Sequence, residues 1–142
     1  MIWYKPVIEK LRASRLCSDV SLVGGKVRAT LDDTRFLDIH FDPLTQSYSY
    51  ALIDLKLPYP GDKRLFGWDD YPHEGVMEIR QLESYPHHFQ RRAEEGRWVF
   101  EASPMRGDIE HEIDMVIATV KAYLWDDPEM DVYNALDPRR PP

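Results

Sequence analysis

Three of the five histidines in this chain fall between Trp68 and Arg92, and imidazole is the side chain that titrates near neutral pH. The element Tyr-Pro-His occurs there twice, as Tyr71-Pro72-His73 and as Tyr85-Pro86-His87, with His88 directly after the second. Asp69, Asp70 and Glu74 flank the first copy, and Arg91 and Arg92 follow the second. If folding brings His73, His87 and His88 into one pocket with Asp69, Asp70 and Arg91, the set suffices for metal-free cleavage of a phosphodiester. One imidazole would take the 2′-hydroxyl proton, another would protonate the leaving oxygen, and the guanidinium would hold the developing charge. The same pattern also fits a solvent loop whose proline-flanked histidines do no chemistry.

Metal ligation is the other chemistry these residue types offer. His87 and His88 are adjacent, which points their rings apart in a strand, and the i, i+4 histidine pair of a helical zinc site does not occur. A site built from His73, His87 or His88 with Asp69 or Asp70 stays open, but the pattern assigns no metal and no cofactor. Asp38, His40 and Asp42 alternate along one strand face and read as exposed sheet surface. His111, among Glu110, Glu112 and Asp114, reads as solvent-facing near a helix start, and Cys17 as a small buried hydrophobe. No Gly-rich phosphate loop, serine-hydrolase elbow or zincin motif occurs, which removes the simplest support for those enzyme classes.

These residues need a scaffold, and 142 residues with 43% apolar side chains suit one domain with a core that needs no staples. The single cysteine allows no internal disulfide. No apolar run approaches a membrane span, and the N-terminus lacks the features of a signal peptide. The chain therefore reads as cytoplasmic, without a membrane partner. A net charge of −7 argues against a broad basic surface for nucleic acid, so any grip on RNA must be local.

Hydrophobic spacing predicts a first helix over residues 6–16, with Pro6 in its first turn. Alternation predicts strands near residues 26–31, 37–42, 47–55, 63–69 and 97–102, joined by connections short enough for antiparallel neighbours. Residues 70–96 read as a long polar excursion. Ser103 and Pro104 then open a helix over 104–125, whose Ile109, Ile113, Val116, Ile117, Val120 and Leu124 keep helical spacing until Asp126-Asp127-Pro128. The expected fold is α+β. A mainly antiparallel sheet of four or five strands carries an N-terminal helix and a long C-terminal helix, in one domain over 1–134 with a disordered tail over 135–142.

The order of these features resembles the TumE family, the toxin half of prokaryotic toxin–antitoxin pairs. The resemblance spans residues 32–124: a Tyr-rich strand at Tyr48 and Tyr50, the Pro60-Gly61-Asp62 turn, Arg64 through Trp68-Asp69-Asp70, the two Pro-His elements, an aromatic strand and a closing helix. Members carry an aromatic-Asp-Asn element at the place where this chain has Trp68-Asp69-Asp70, so Asp70 departs from the pattern. The residues that carry over are Asp69, Asp70, His73, His87 and His88. The resemblance implies a toxin-like protein with a small antitoxin as partner, and the histidines point to RNA as substrate. A homodimer is also open. The competing expectations are a non-catalytic interaction module and a small-molecule binder using the sheet face.

Overall fold

A computed structural model describes residues 2–125. The Asp126-Asp127-Pro128 stop and the tail lie outside the described residues. Helix α1 (Tyr4–Ala13) leads into seven strands: β1 (Asp19–Val23), β2 (Lys26–Thr30), β3 (Arg35–Phe41), β4 (Tyr48–Asp54), β5 (Arg64–Asp69), β6 (His88–Arg92) and β7 (Trp98–Ala102). A short helix α2 (Met77–Arg80) lies between β5 and β6, and α3 (Ile109–Trp125) closes the described chain. The strands form one sheet in sequence order, every neighbouring pair antiparallel. The α+β class, the antiparallel sheet and both terminal helices are as the sequence predicts.

The sheet has seven strands rather than four or five. Neither β1 nor β6 shows clean alternation. In β1, Val20 is buried while Leu22 and Val23 are exposed, so the strand reads as apolar on both faces. It pairs with β2 through the two-residue turn Gly24-Gly25, where Gly24 takes the left-handed φ of 63° that such hairpins require. In β6, the buried face consists of His88 and Gln90, polar residues that hide a strand from any hydrophobic pattern.

Cross-strand register separates the two faces. Leu37, Leu52 and Phe66 lie side by side, as do Ile39, Tyr50 and Trp68, and all six are buried. Val7 and Leu11 of α1 join Ile113, Val116, Ile117, Val120 and Leu124 of α3 in the same core. Lys10 ties the two helices together, donating to the Glu110 carbonyl at 2.7 Å and pairing with Asp114 at 2.9 Å. Burial of one apolar face against helices is the main stabilising term in such a layered domain.

Helix α3 begins at Ile109 and not at Pro104. Gly107 takes a φ of 85°, which no right-handed helix accommodates. Ser103 Oγ accepts from the Met105 N–H at 3.0 Å, so it closes a local turn before the helix rather than capping it. The first helix ends at Ala13, three residues short of the expected limit, where Arg15 turns to a left-handed φ of 59°. Cys17 is half-buried, with its Sγ 3.6 Å from the Leu11 carbonyl.

Among the described residues, the other face of the sheet carries no long helix. Lys26, Arg28, Asp38, His40, Ser49 and Ala51 point outward on it, as does Asp69 at the end of β5. Gly67 keeps this surface low: a Cβ there would stand 2.5 Å from the Tyr50 carbonyl oxygen.

Candidate functional site

Because Trp68 faces the helices, Asp69 must face the open side, and its partner across the ladder is His88. His88 is fully buried there, at 0% exposure, between Phe100 on β7 and the connection that carries His73. His88 Nε2 lies 3.3 Å from Asp69 Oδ1, and His73 Nε2 lies 3.9 Å from the same oxygen. The two imidazole centroids are 5.1 Å apart at 72°. His73 holds its place at a φ of 42°, a left-handed conformation that costs a β-substituted residue energy unless its surroundings impose it.

The hydrogen bonds around this trio fix its electronic character. His88 Nδ1 sits 3.0 Å from the Pro86 carbonyl, an acceptor only, so Nδ1 carries the proton. Nε2 then faces Asp69 Oδ1 and, at 3.1 Å, Gln90 Oε1. Asp69 Oδ1 also accepts from the Tyr71 N–H at 2.9 Å. His73 Nε2 is buried and has no hydrogen-bond partner among the described residues. Burial lowers the His73 pKa below the ordinary imidazole value; Asp69 opposes the shift, while His88 and Arg64 add to it.

The remaining residues singled out in the sequence go elsewhere. His87 lies on the Tyr48 ring, nearly parallel at 9°, with Nδ1 at 2.9 Å from the hydroxyl. The Tyr48 hydroxyl also reaches the Met105 carbonyl at 3.3 Å. Burial and then Arg106 lower the His87 pKa. Burial and then Glu112 hold the Tyr48 hydroxyl far above the ordinary phenol range. Asp70 accepts from Ser47 Oγ at 2.8 Å and from the Tyr48 N–H at 3.3 Å, pinning the start of β4 to the end of β5. Arg91 alternates away from His88 and Gln90 and pairs with Glu101 at 2.9 Å on the surface. The structure thus gathers Asp69, His73 and His88, and leaves His87, Asp70 and Arg91 outside that space.

Two residues of the cluster were not predicted from the sequence. Gln90 is one, and only its position two residues after His88 signals it. Arg64 is the other: its Nη1 stands 3.9 Å from Asp69 Oδ2. Strict alternation would put Arg64 on the helix side with Phe66, but the ladder shifts between Leu52 and Ile53, and Arg64 pairs with outward-facing Ile53. Asp62 holds the guanidinium in place at 2.7 Å.

Arg64 also lines a groove of about 470 Å³ on the open face. Lys26, Arg28, Lys63 and Arg64 face it against only Asp38 and Asp62. Arg28 grips Asp38 with two bonds of 2.8 and 3.0 Å and lies 4.1 Å over the Phe36 ring. Asp38 and His40 line this groove as part of the outward face, whereas Asp42 lies beyond the end of β3 and accepts from the Leu44 N–H at 2.9 Å. His111 is exposed and pairs with Asp108 at 2.8 Å, as its solvent-facing position predicts.

Comparison with protein-family models, curated proteins and solved structures finds no match to this chain. The functional reading therefore stands on the site itself. Among the described residues, no helix is long and apolar enough to cross a membrane.

Proposed function

We propose that this protein is the toxin-like component of a prokaryotic toxin–antitoxin pair and acts on RNA at the open face of its sheet. One observation carries the reading: in a chain of net charge −7, the cluster of Asp69, His73 and His88 lies beside a groove with more cations than carboxylates. Arg64 belongs to both, so a phosphate held in the groove would lie next to the cluster. A scheme with two free imidazoles draws little support, because His88 is fully buried and His87 is bound to Tyr48. The chemistry is assigned to the trio as a unit.

A non-catalytic interaction module is the second reading, and the edge of β1, which no strand of the described residues pairs, favours it. Leu22 and Val23 there are 46% and 44% exposed. An unpaired edge of this kind accepts an added strand, which also suits an antitoxin docking on the toxin.

Induced expression in a bacterial host tests the proposal. Wild type is expected to arrest growth, and His73→Ala at matched abundance is expected to relieve the arrest. His111→Ala, an exposed histidine remote from the cluster, is expected to behave as wild type. Arrest by wild type and His73→Ala alike would move the function away from this cluster. No arrest by wild type would favour the interaction module.

A further inference from the structure

The cluster brings Asp69, His73 and His88 close enough to share one ligand. With Nδ1–H of His88 given to Pro86, Nε2 of His88 turns to Asp69 Oδ1 at 3.3 Å and to the Gln90 side-chain amide at 3.1 Å. His73 adds a further nitrogen, Nε2, buried and without a hydrogen bond among the described residues. A proton on His88 Nε2 would serve His88 and Asp69, but His73 Nε2 would stay at 3.9 Å from Asp69, beyond hydrogen-bond reach. A cation at the common focus would serve all three.

We propose that Asp69 Oδ1, His73 Nε2 and His88 Nε2 bind a first-row divalent transition ion. The inference rests on the reading of this cluster as the functional centre and names what the cluster holds. One candidate ligand atom from each residue lies within 4.8 Å of the others. Ligand bonds of about 2.1 Å bring neighbouring donor atoms to about 3 to 3.4 Å apart, so the Asp69–His88 spacing already fits. His73, with its side chain 28% exposed and its backbone on a connection rather than a strand, is the ligand free to close the remaining distance.

The Pro86 carbonyl fixes the His88 tautomer with Nε2 inward, as a carbonyl on the far ring nitrogen does for ligating histidines. Arg64 approaches the other carboxylate oxygen, Oδ2, with Asp62 offsetting its charge, and Oδ1, which accepts from the Tyr71 N–H, keeps a second lone pair for the ion. Two imidazoles and one carboxylate select zinc, iron, cobalt or nickel over magnesium and calcium, which prefer all-oxygen shells. The three ligands leave coordination positions for water or a phosphate oxygen.

Full-length protein stripped with a chelator and titrated with Co²⁺ tests the site, read by visible absorption and by bound cobalt per chain. One Co²⁺ per chain is expected, displaced by Zn²⁺ and not by Mg²⁺ at the same concentration. His73→Ala is expected to weaken uptake by more than about 100-fold, beyond the 10- to 100-fold typical of losing a second-shell partner. His73 is chosen over His88 because its partial exposure lets the variant fold, which its urea midpoint will verify. His111→Ala is expected to bind as wild type. Wild type that takes up no Co²⁺, or His73→Ala that binds as tightly as wild type, would overturn the proposal. Growth arrest by a chain that binds no Co²⁺ would remove the metal and leave the toxin reading standing. Co²⁺ uptake by a chain that does not arrest growth would support the metal site and remove the toxin reading.

Discussion

Glu112→Ala is expected to lower the unfolding free energy by about 4 kcal/mol. Glu112 lies in the first turn of α3 with only 8% of its surface exposed. Its carboxylate accepts from the Tyr50 hydroxyl at 2.8 Å, from the Arg106 N–H at 2.7 Å and from the Gly107 N–H at 3.2 Å. Each donor left buried without a partner costs about 1–3 kcal/mol, and the charge also favours the positive end of the helix. Burial and then Glu112 hold the Tyr50 hydroxyl far above the ordinary phenol range, so it stays a donor. Tyr50→Phe removes one donor and its hydrogen bond and is expected to cost about 1 kcal/mol. Urea unfolding measures both. A Glu112→Ala loss below about 1 kcal/mol would show that water or a rearranged loop takes over the carboxylate's role.

Asp69→Asn is expected to reduce RNA cleavage by about 100-fold or more while changing stability by less than about 1.5 kcal/mol. Asparagine keeps the shape and can still accept from the Tyr71 N–H, so the end of β5 retains its turn. What disappears is the negative charge between His73 and His88, which lies within 4 Å of both ring nitrogens. Single-turnover cleavage of an oligoribonucleotide, compared with the urea midpoint of the same samples, separates the two effects. Activity within about 3-fold of wild type would show that the carboxylate is not part of the chemistry.

The elements readable in advance were those whose residues bury a periodic apolar face. Helix α3 shows its face at Ile113, Val116, Ile117 and Val120, and β3 and β4 at Leu37, Ile39, Tyr50 and Leu52. Strand β6 stayed hidden because the groups it buries are an imidazole and an amide, stabilised by cross-strand and connection contacts that no local window contains. The start of α3 was misplaced because Ser103-Pro104 has the chemistry of a helix start, while Gly107 breaks the backbone three residues later.

The candidate site follows the same division. Asp69, His73 and His88 share a stretch of sequence, and their residue types alone pointed to it. That stretch also contained His87, Asp70 and Arg91, and composition could not sort them, because strand parity and the Tyr48 ring decide where each one points. Arg64 was invisible for a sharper reason: a ladder shift reverses the face that alternation assigns to it. Both faults lie in long-range pairing, which fixes orientation after local propensity has fixed the strand.

The measurement that bears most directly on the central claim is cleavage of an end-labelled RNA by the purified chain. It would be run with Zn²⁺, with Mn²⁺ and with chelator, beside His73→Ala at equal concentration. Discrete cleavage by wild type is expected, suppressed by high salt as the groove cations are screened, and lost in His73→Ala. RNA left intact by wild type under every condition, or cut equally by both proteins, would contradict it.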